Sequence, residues 1–440
     1  MVTPYIIVEQ SQPLKGQVSL NGAKNAVLVI IASLILTRGK SVLHNVPKSD
    51  DVLHMISLLK SLGASVFFFE EEHILQVDTT QLSSWNVNAE VMKKMRASIL
   101  VMGPLLARFG KADIAAPGGC VIGSRPIDFH LKNFKKMGAT VFENGDYLSA
   151  VTTGLRAGRY VLEYPSVGAT ENILMSAVLT PGQTYIVNAA LEPEVMDLID
   201  VLRKMGANIQ VLAPATLCIS GVSQLQSVEH TIIPDRLEAG SLLIAAAITK
   251  GEIEITNAIA EHMDVFLLKL EEMGHSIRLN ANGQGIYLKA SQNPRAVSFK
   301  TSPYPGFPTD LQAPMMAAQC IAEGISVIEE TVFENRLVHV RELQKMGAQI
   351  KQEGTKAIVT GVEHLYGAQV IATDIRASCS LVLAGLCAKG TTRMTGIHHW
   401  TRGYDHLEKK LGFLGGNITI VNQEMPLSLT VNELGRENIL

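Results

Sequence analysis

Apolar and polar positions follow one arrangement that recurs along the chain. A short alternating segment, such as Gly251-Glu252-Ile253-Glu254-Ile255, predicts a half-buried strand. A helix-like segment rich in Lys, Glu and Leu follows. It closes on a glycine, and a β-branched residue comes next. The closing phrase reads Leu62-Gly63-Ala64-Ser65-Val66, Met137-Gly138-Ala139-Thr140-Val141 and Met205-Gly206-Ala207-Asn208-Ile209 in the first half. It returns as Met273-Gly274-His275-Ser276-Ile277, Met346-Gly347-Ala348-Gln349-Ile350 and Leu414-Gly415-Gly416-Asn417-Ile418. A glycine there fits the position just past a helix end. The chain therefore predicts six units of strand, turn, helix, glycine and strand, with more strand beyond.

The closing glycines lie 75, 68, 68, 73 and 68 residues apart. That period is too long for a solenoid and too irregular for propeller blades. An α/β class is expected, with six small α+β units forming one or two larger domains. A second glycine opens each unit, at Gly39, Gly110, Gly182, Gly251, Gly324 and Gly390. From opening to closing glycine the spans are 24, 28, 24, 23, 23 and 25 residues. The second unit is the longest, and its strand-to-helix turn holds Cys120. Arg336 and Arg402 each stand twelve residues after an opening glycine, which predicts a shared rim.

The lengthened turn runs from Ala116 to Asp128 and reads Gly118-Gly119-Cys120-Val121-Ile122-Gly123-Ser124-Arg125 at its centre. Glycines let a loop approach a ligand closely, and a thiol near a guanidinium suits acid or nucleophilic work. Other turns carry charge at helix starts. Asn21-Gly22-Ala23-Lys24-Asn25 precedes the apolar run from Ala26, where a lysine favours anions or is simply solvated. Ser166-Val167-Gly168-Ala169-Thr170 enters a helix that Thr170 would cap. Asp310 follows Pro305-Gly306-Phe307-Pro308-Thr309 and reads as a cap or a general base. Asp374-Ile375-Arg376 reads as a local ion pair or part of a site. Arg402 sits in Trp400-Thr401-Arg402-Gly403-Tyr404, read as a turn. Together with Lys24 these arginines point to a small polyanion, since guanidinium forks suit carboxylate and phosphate.

Composition narrows the class. The 440 residues are 47% hydrophobic and 18% charged, so a sizeable core is expected. A net charge of −3 argues against broad nucleic-acid binding. The five cysteines form no paired motif, so neither disulfides nor a zinc ribbon is expected. Cys218, Cys320, Cys379 and Cys387 lie among apolar residues and read as inert core thiols. His398-His399 reads as a turn pair whose side chains diverge. No Walker or dinucleotide fingerprint appears, and neither a metal nor a cofactor is expected. The start lacks a signal-peptide pattern, and no apolar run reaches the roughly 20 residues a membrane span needs. A cytoplasmic location is expected.

The motifs as a set resemble the UDP-N-acetylglucosamine enolpyruvyl transferase family. The resemblance covers nearly the whole chain to about Val421. It rests on Asn21 to Asn25, the Gly118 to Asp128 loop, Ser166 to Asn172, Pro308-Thr309-Asp310, Phe333-Glu334-Asn335-Arg336 and Asp374-Ile375-Arg376. It implies an inside-out α/β barrel of two domains, each of three repeated units with helices inside and sheets outside. The implied domains are 22–233 and a discontinuous 1–21 plus 234–421, with a hinge near Asn21 and Ile233-Pro234. The extension 422–440 lies beyond the resemblance.

The implied substrates are phosphoenolpyruvate and UDP-N-acetylglucosamine, with a monomer as the expected state. Cys120 matches the family's proton donor and Asp310 its base. Lys24, Arg125 and Arg402 match groups around the phosphate, and Arg336 and Arg376 groups near the carboxylate. Asn25, Arg96, Arg125, Pro126, Ile127, Asp128, Phe129, Ser166, Val167, Gly168, Asp310 and Val332 match the nucleotide-sugar site, and Asp374 belongs to the substrate-binding set. The resemblance also implies alkylation of Cys120 by the epoxide fosfomycin. Two alternatives remain open at this point: the shikimate-pathway enolpyruvyl transferase, and a non-catalytic nucleotide-sugar-binding regulator.

Overall fold

The computed structural model describes residues 4–87, 96–115, 127–144, 147–280 and 283–422. All six predicted units are present. The third is representative: strand Gln183–Val187, helix Pro193–Lys204, then strands Asn208–Leu212 and Thr216–Ser220. The hairpin lays Thr216–Ser220 antiparallel to Gln183–Val187, and Arg159–Val161 pairs parallel on the other side. Among the described residues, five sheets have four strands and one has three. The three-stranded sheet belongs to the second unit, where a parallel bridge from Asn86 to Asp113 marks the fourth place.

The closing glycines account for the repeat. Gly63, Gly138, Gly206, Gly274, Gly347 and Gly415 have φ of 101, 92, 103, 95, 91 and 102°. A β-carbon is disfavoured there, so glycine turns each helix end into the next strand within a residue or two. Of the opening glycines, Gly251 departs from the pattern. Lys250 takes the left-handed backbone instead, with φ 57°, while a β-carbon on Gly251 would meet the Leu14 carbonyl oxygen at 2.3 Å.

Each unit is preceded by an apolar helix with little or no polar face. All 13 residues of Arg236–Ile248 are buried. A helix that is apolar all round belongs in a core. Each Leu or Ile taken fully out of water contributes about 1.5–3 kcal/mol, so packing fixes these helices more than capping does. The strands bury alternate residues, as Ser41 and Leu43 in Lys40–His44.

The buried side chains form two cores. One draws on residues from Ala23 to Ile232, the other on Ile6 to Leu20 together with Leu237 to Leu414. Strand Tyr5–Glu9 lies between Thr391–Thr395 and Asn417–Val421, completing the sixth sheet, and Lys15–Val18 runs parallel to Glu252–Ile259 in the fourth. Strand Glu229–Thr231 returns to pair with Lys40–His44 in the first. The chain thus crosses between cores at two neighbouring points. There the Ala23 N–H donates to the Ile233 carbonyl at 2.7 Å and the Asp235 N–H to that of Asn21 at 2.9 Å. Gly22 sits at this crossing, where a β-carbon would lie 1.9 Å from the Asn45 carbonyl oxygen.

Three local expectations need correction. Ser166 caps the helix Val167–Ala177, accepting from the Ala169 N–H, while Thr170 lies inside it and accepts from the Ala190 N–H at 3.0 Å. Arg402 lies in a short helix, His398–Gly403, and not in a turn. The His398 and His399 rings do not diverge; their centroids are 4.0 Å apart. Cys320, Cys379 and Cys387 agree with inert thiols, since burial pushes each up, Cys387 to about 12. Among the described residues, no helix is long and apolar enough to cross a membrane.

Candidate active site

Of the charged side chains singled out in the sequence, Lys24, Asp310, Arg336, Arg376 and Arg402 converge at the junction of the two cores. Lys24 is the first residue of helix Lys24–Ser33, and its side chain is 10% exposed. Its backbone N–H donates to Asp235 Oδ2 at 3.3 Å, and its Nζ to Asp51 Oδ2 at 3.4 Å. Burial pushes the Lys24 ammonium below its ordinary range. Asp51 pulls it back, Arg376 and Arg402 add to the depression, and Asp310 opposes it. The simple solvated-lysine reading is therefore set aside. Asn25 follows on the same turn, half-buried.

Asp51 belongs to the first turn of helix Asp50–Ser61. Its second oxygen accepts from Arg402 Nε at 2.9 Å, so one buried carboxylate joins cations from both cores. The neighbouring Asp50 accepts from the Thr401 hydroxyl at 2.5 Å, docking helix His398–Gly403 on the same helix start.

Asp310 lies in a single 3-10 turn, Thr309–Leu311, and does not cap a helix. Its Oδ1 accepts from Arg336 Nη2 at 2.7 Å and its Oδ2 from Arg376 Nη2 at 2.9 Å. Burial works to raise this carboxyl, but Arg376 and Arg336 outweigh it and hold it well below the usual carboxylate range. Arg376 also donates to Tyr404 Oη at 3.1 Å, and Tyr404 meets Ser241 Oγ at 3.3 Å. Arg336 also donates to Thr309 Oγ1 at 3.2 Å. Glu330 supports that contact, accepting from Thr309 Oγ1 at 2.9 Å and from the Val332 N–H at 2.9 Å. Val332 is thereby tied to the Asp310 cluster. Asp374 caps helix Ile375–Cys387, accepting from the Arg376 and Ala377 N–H groups, and so fixes where Arg376 starts. It does not pair with the Arg376 guanidinium.

The turn Ser166, Val167 and Gly168 is built separately. Among the described residues it has no hydrogen bond or ion pair to this cluster. Gly168 lies against His130, whose ring carbon Cε1 would meet a β-carbon at 3.2 Å. His130 belongs to helix Asp128–Lys136, which Ile127 precedes and which carries Asp128 and Phe129 in its first turn. Asn172 links the two helices, its Nδ2 lying 2.9 Å from His130 Nδ1. Cys120, Arg125 and Pro126 lie outside the described residues, as does the side chain of Arg96.

Asp51, Tyr404 and Glu330 are the participants that the sequence reading missed. Asp50-Asp51 before a helix was a usable signal, because acids favour helix starts. Glu330 follows an ordinary strand, Ile325–Glu329, and gave none.

The arrangement gathers four cations, Lys24, Arg336, Arg376 and Arg402, on the Asp51 and Asp310 carboxylates, a setting for a small ligand with two anionic ends. The family profile described as EPSP synthase (3-phosphoshikimate 1-carboxyvinyltransferase) matches residues 8–411. Solved structures agree on the fold. The enolpyruvyl transferase NikO of Streptomyces tendae superposes with a TM-score of 0.87 at 24% identity, covering 95% of this chain and 99% of that one. EPSP synthase of Acinetobacter baumannii gives 0.75 at 17% identity, covering 96% and 100%. The chain belongs to the EPSP synthase family and, within it, to the UDP-N-acetylglucosamine 1-carboxyvinyltransferases. It is 49% identical over 412 residues to UDP-N-acetylglucosamine 1-carboxyvinyltransferase 1 of Caldanaerobacter subterraneus, covering 94% of this chain and 98% of the relative. Against the enzyme of the same name from Staphylococcus epidermidis it is 48% identical over 420 residues, covering 95% and 99%.

Proposed function

We propose that the protein transfers the enolpyruvyl group of phosphoenolpyruvate to the 3′-hydroxyl of UDP-N-acetylglucosamine, releasing phosphate, as a step of peptidoglycan precursor synthesis. The observation that carries this reading is the pairing of cations: Lys24 with Arg402 on Asp51, and Arg336 with Arg376 on Asp310. Two cation pairs match the two charged ends of phosphoenolpyruvate, phosphate and carboxylate.

The chemistry is addition followed by elimination. The acceptor oxygen bonds to C2 of the enol, its proton goes to Asp310, and Cys120 delivers a proton to C3. The C2–O bond to phosphate then breaks, and C3 loses a proton to restore the double bond. Lys24, Arg125 and Arg402 neutralise the phosphate, and Arg336 and Arg376 hold the carboxylate. Asn25, Arg96, Arg125 to Phe129, Ser166 to Gly168, Asp310 and Val332 line the nucleotide-sugar side, and Asp374 belongs to the substrate-binding set. The reaction as written needs neither metal nor cofactor.

The same reading takes the two cores as domains, 22–233 and 1–21 plus 234–421, each a three-unit inside-out barrel, with the crossing at Gly22 and Pro234 as hinge. It takes the enzyme as a cytoplasmic monomer and gives 422–440 no role. Phosphate release from phosphoenolpyruvate tests the reaction. Release that depends on UDP-N-acetylglucosamine supports it. Release with shikimate 3-phosphate alone, or with neither acceptor, overturns it.

A further inference from the structure

We propose that Asp310 competes with the ligand carboxylate for Arg336 and Arg376, so that arrival of the carboxylate is what frees Asp310 to act as the base. This deepens the reading above and rests on its assignment of those two arginines to the carboxylate.

The geometry points to Asp310 as the member that leaves. Both arginine side chains are 4% exposed, while that of Asp310 is 25% exposed. Each arginine keeps a second anchor, Thr309 Oγ1 for Arg336 and Tyr404 Oη for Arg376. Among the described residues the Asp310 carboxylate has no hydrogen bond beyond the two guanidinium groups. Each arginine thus keeps a partner if the acid leaves, whereas among the described residues the acid's carboxylate is bonded only to the arginines.

A carboxylate with both oxygens taken by guanidinium groups is a poor proton acceptor. The observed bonds hold Asp310 well below its usual range, in the wrong direction for a base. A ligand carboxylate offers the same two oxygens to the same two forks, so it is the chemical competitor. When it takes Arg336 or Arg376, an Asp310 oxygen loses its bond and its basicity rises. The acceptor O–H then breaks, its proton bonds to that freed oxygen, and the electron pair stays on the acceptor oxygen that attacks C2. Deprotonation of the acceptor is thereby linked to the presence of the second substrate.

The test is calorimetric titration of the full chain with phosphoenolpyruvate and, separately, with inorganic phosphate, neither with acceptor. Removing a competing charge in D310N should tighten phosphoenolpyruvate binding by about tenfold, the equivalent of one pKa unit of charge interaction. Inorganic phosphate, which lacks the carboxylate, should gain clearly less. Unchanged or weaker phosphoenolpyruvate binding overturns the proposal. So does an equal gain for phosphate, which would mean a general charge effect. If D310N melts unlike the wild type, D310A takes its place under the same criteria. Acceptor-dependent phosphate release by the wild type tests the reaction separately, so either can fail alone.

Discussion

Asp51 and Arg402 are 351 residues apart in the chain, yet the Arg402 Nε donates to the Asp51 Oδ1 at 2.9 Å. The contact joins a helix start on one core to a short helix on the other. Because Asp51 also holds Lys24, a single carboxylate sets the spacing of two cations.

Replacing Asp51 by asparagine should therefore act on Lys24 and Arg402 together. Lys24 is already depressed by burial, and Asp51 is the first influence opposing that. Without the carboxylate the ammonium loses its proton at lower pH. In the proposed reaction Lys24 meets the phosphate as a cation, so the alkaline limb of kcat/KM for phosphoenolpyruvate should move to lower pH in D51N. The acid limb should stay in place. A pH profile identical to the wild type would remove Asp51 from this role.

Tyr404 should matter through Arg376. Its hydroxyl accepts from Arg376 Nη1 at 3.1 Å and meets Ser241. Tyr404→Phe keeps the ring and removes only the hydroxyl, with its contacts to Arg376 and Ser241. A hydrogen bond to a buried charged group is worth about 1.5–3 kcal/mol, so KM for phosphoenolpyruvate should rise by roughly tenfold or more. KM for UDP-N-acetylglucosamine should change little. Steady-state kinetics in both substrates read the split, and equal rises would point to general loosening instead.

Cys120 is a prediction from sequence alone. A thiol that serves as proton donor can be replaced by another acid, so Cys120→Asp should retain measurable turnover. Cys120→Ser, whose hydroxyl is a far weaker acid, should lose most of it. Fosfomycin incubated with the wild type and UDP-N-acetylglucosamine should add one adduct by intact mass, absent from both variants. An adduct that persists in Cys120→Ser would place alkylation elsewhere.

The parts legible in the sequence were those written locally. A glycine after each helix announces a left-handed backbone at Gly63 or Gly347 whatever surrounds it, so six units followed from spacing alone. Lys24, Asp310, Arg336, Arg376 and Arg402 were visible as charge beside turns. Their partners were not. Asp310 looked like a cap because a carboxylate before an apolar run usually is one, and only the packing of helices Gln312–Gln319 and Ile375–Cys387 brings Arg376 to it. Thr170 looked like a cap for the same reason, although Ser166 does the capping. Which residue meets which across units is set by tertiary packing, and no local period records it.

His275 breaks the repeat, and this has a measurable effect. Four units carry alanine after the closing glycine, at Ala64, Ala139, Ala207 and Ala348, whereas the fourth unit carries His275. The residue is 4% exposed, and its Nδ1 accepts from the Ser291 N–H at 3.0 Å. Burial lowers its pKa to about 4. The unfolded chain protonates this histidine near pH 6.5, so between there and about 4 the unfolded state binds more protons. Its contribution to stability is present above pH 6.5 and is lost as pH falls through about 4. His275→Ala should cost stability at pH 7.5, through the lost Ser291 bond and the space left behind, by about 1–3 kcal/mol. It should also flatten the fall in stability between pH 6.5 and 4. Denaturant unfolding of both proteins across that range measures the difference. Parallel curves would mean that His275 titrates alike in the folded and unfolded chains.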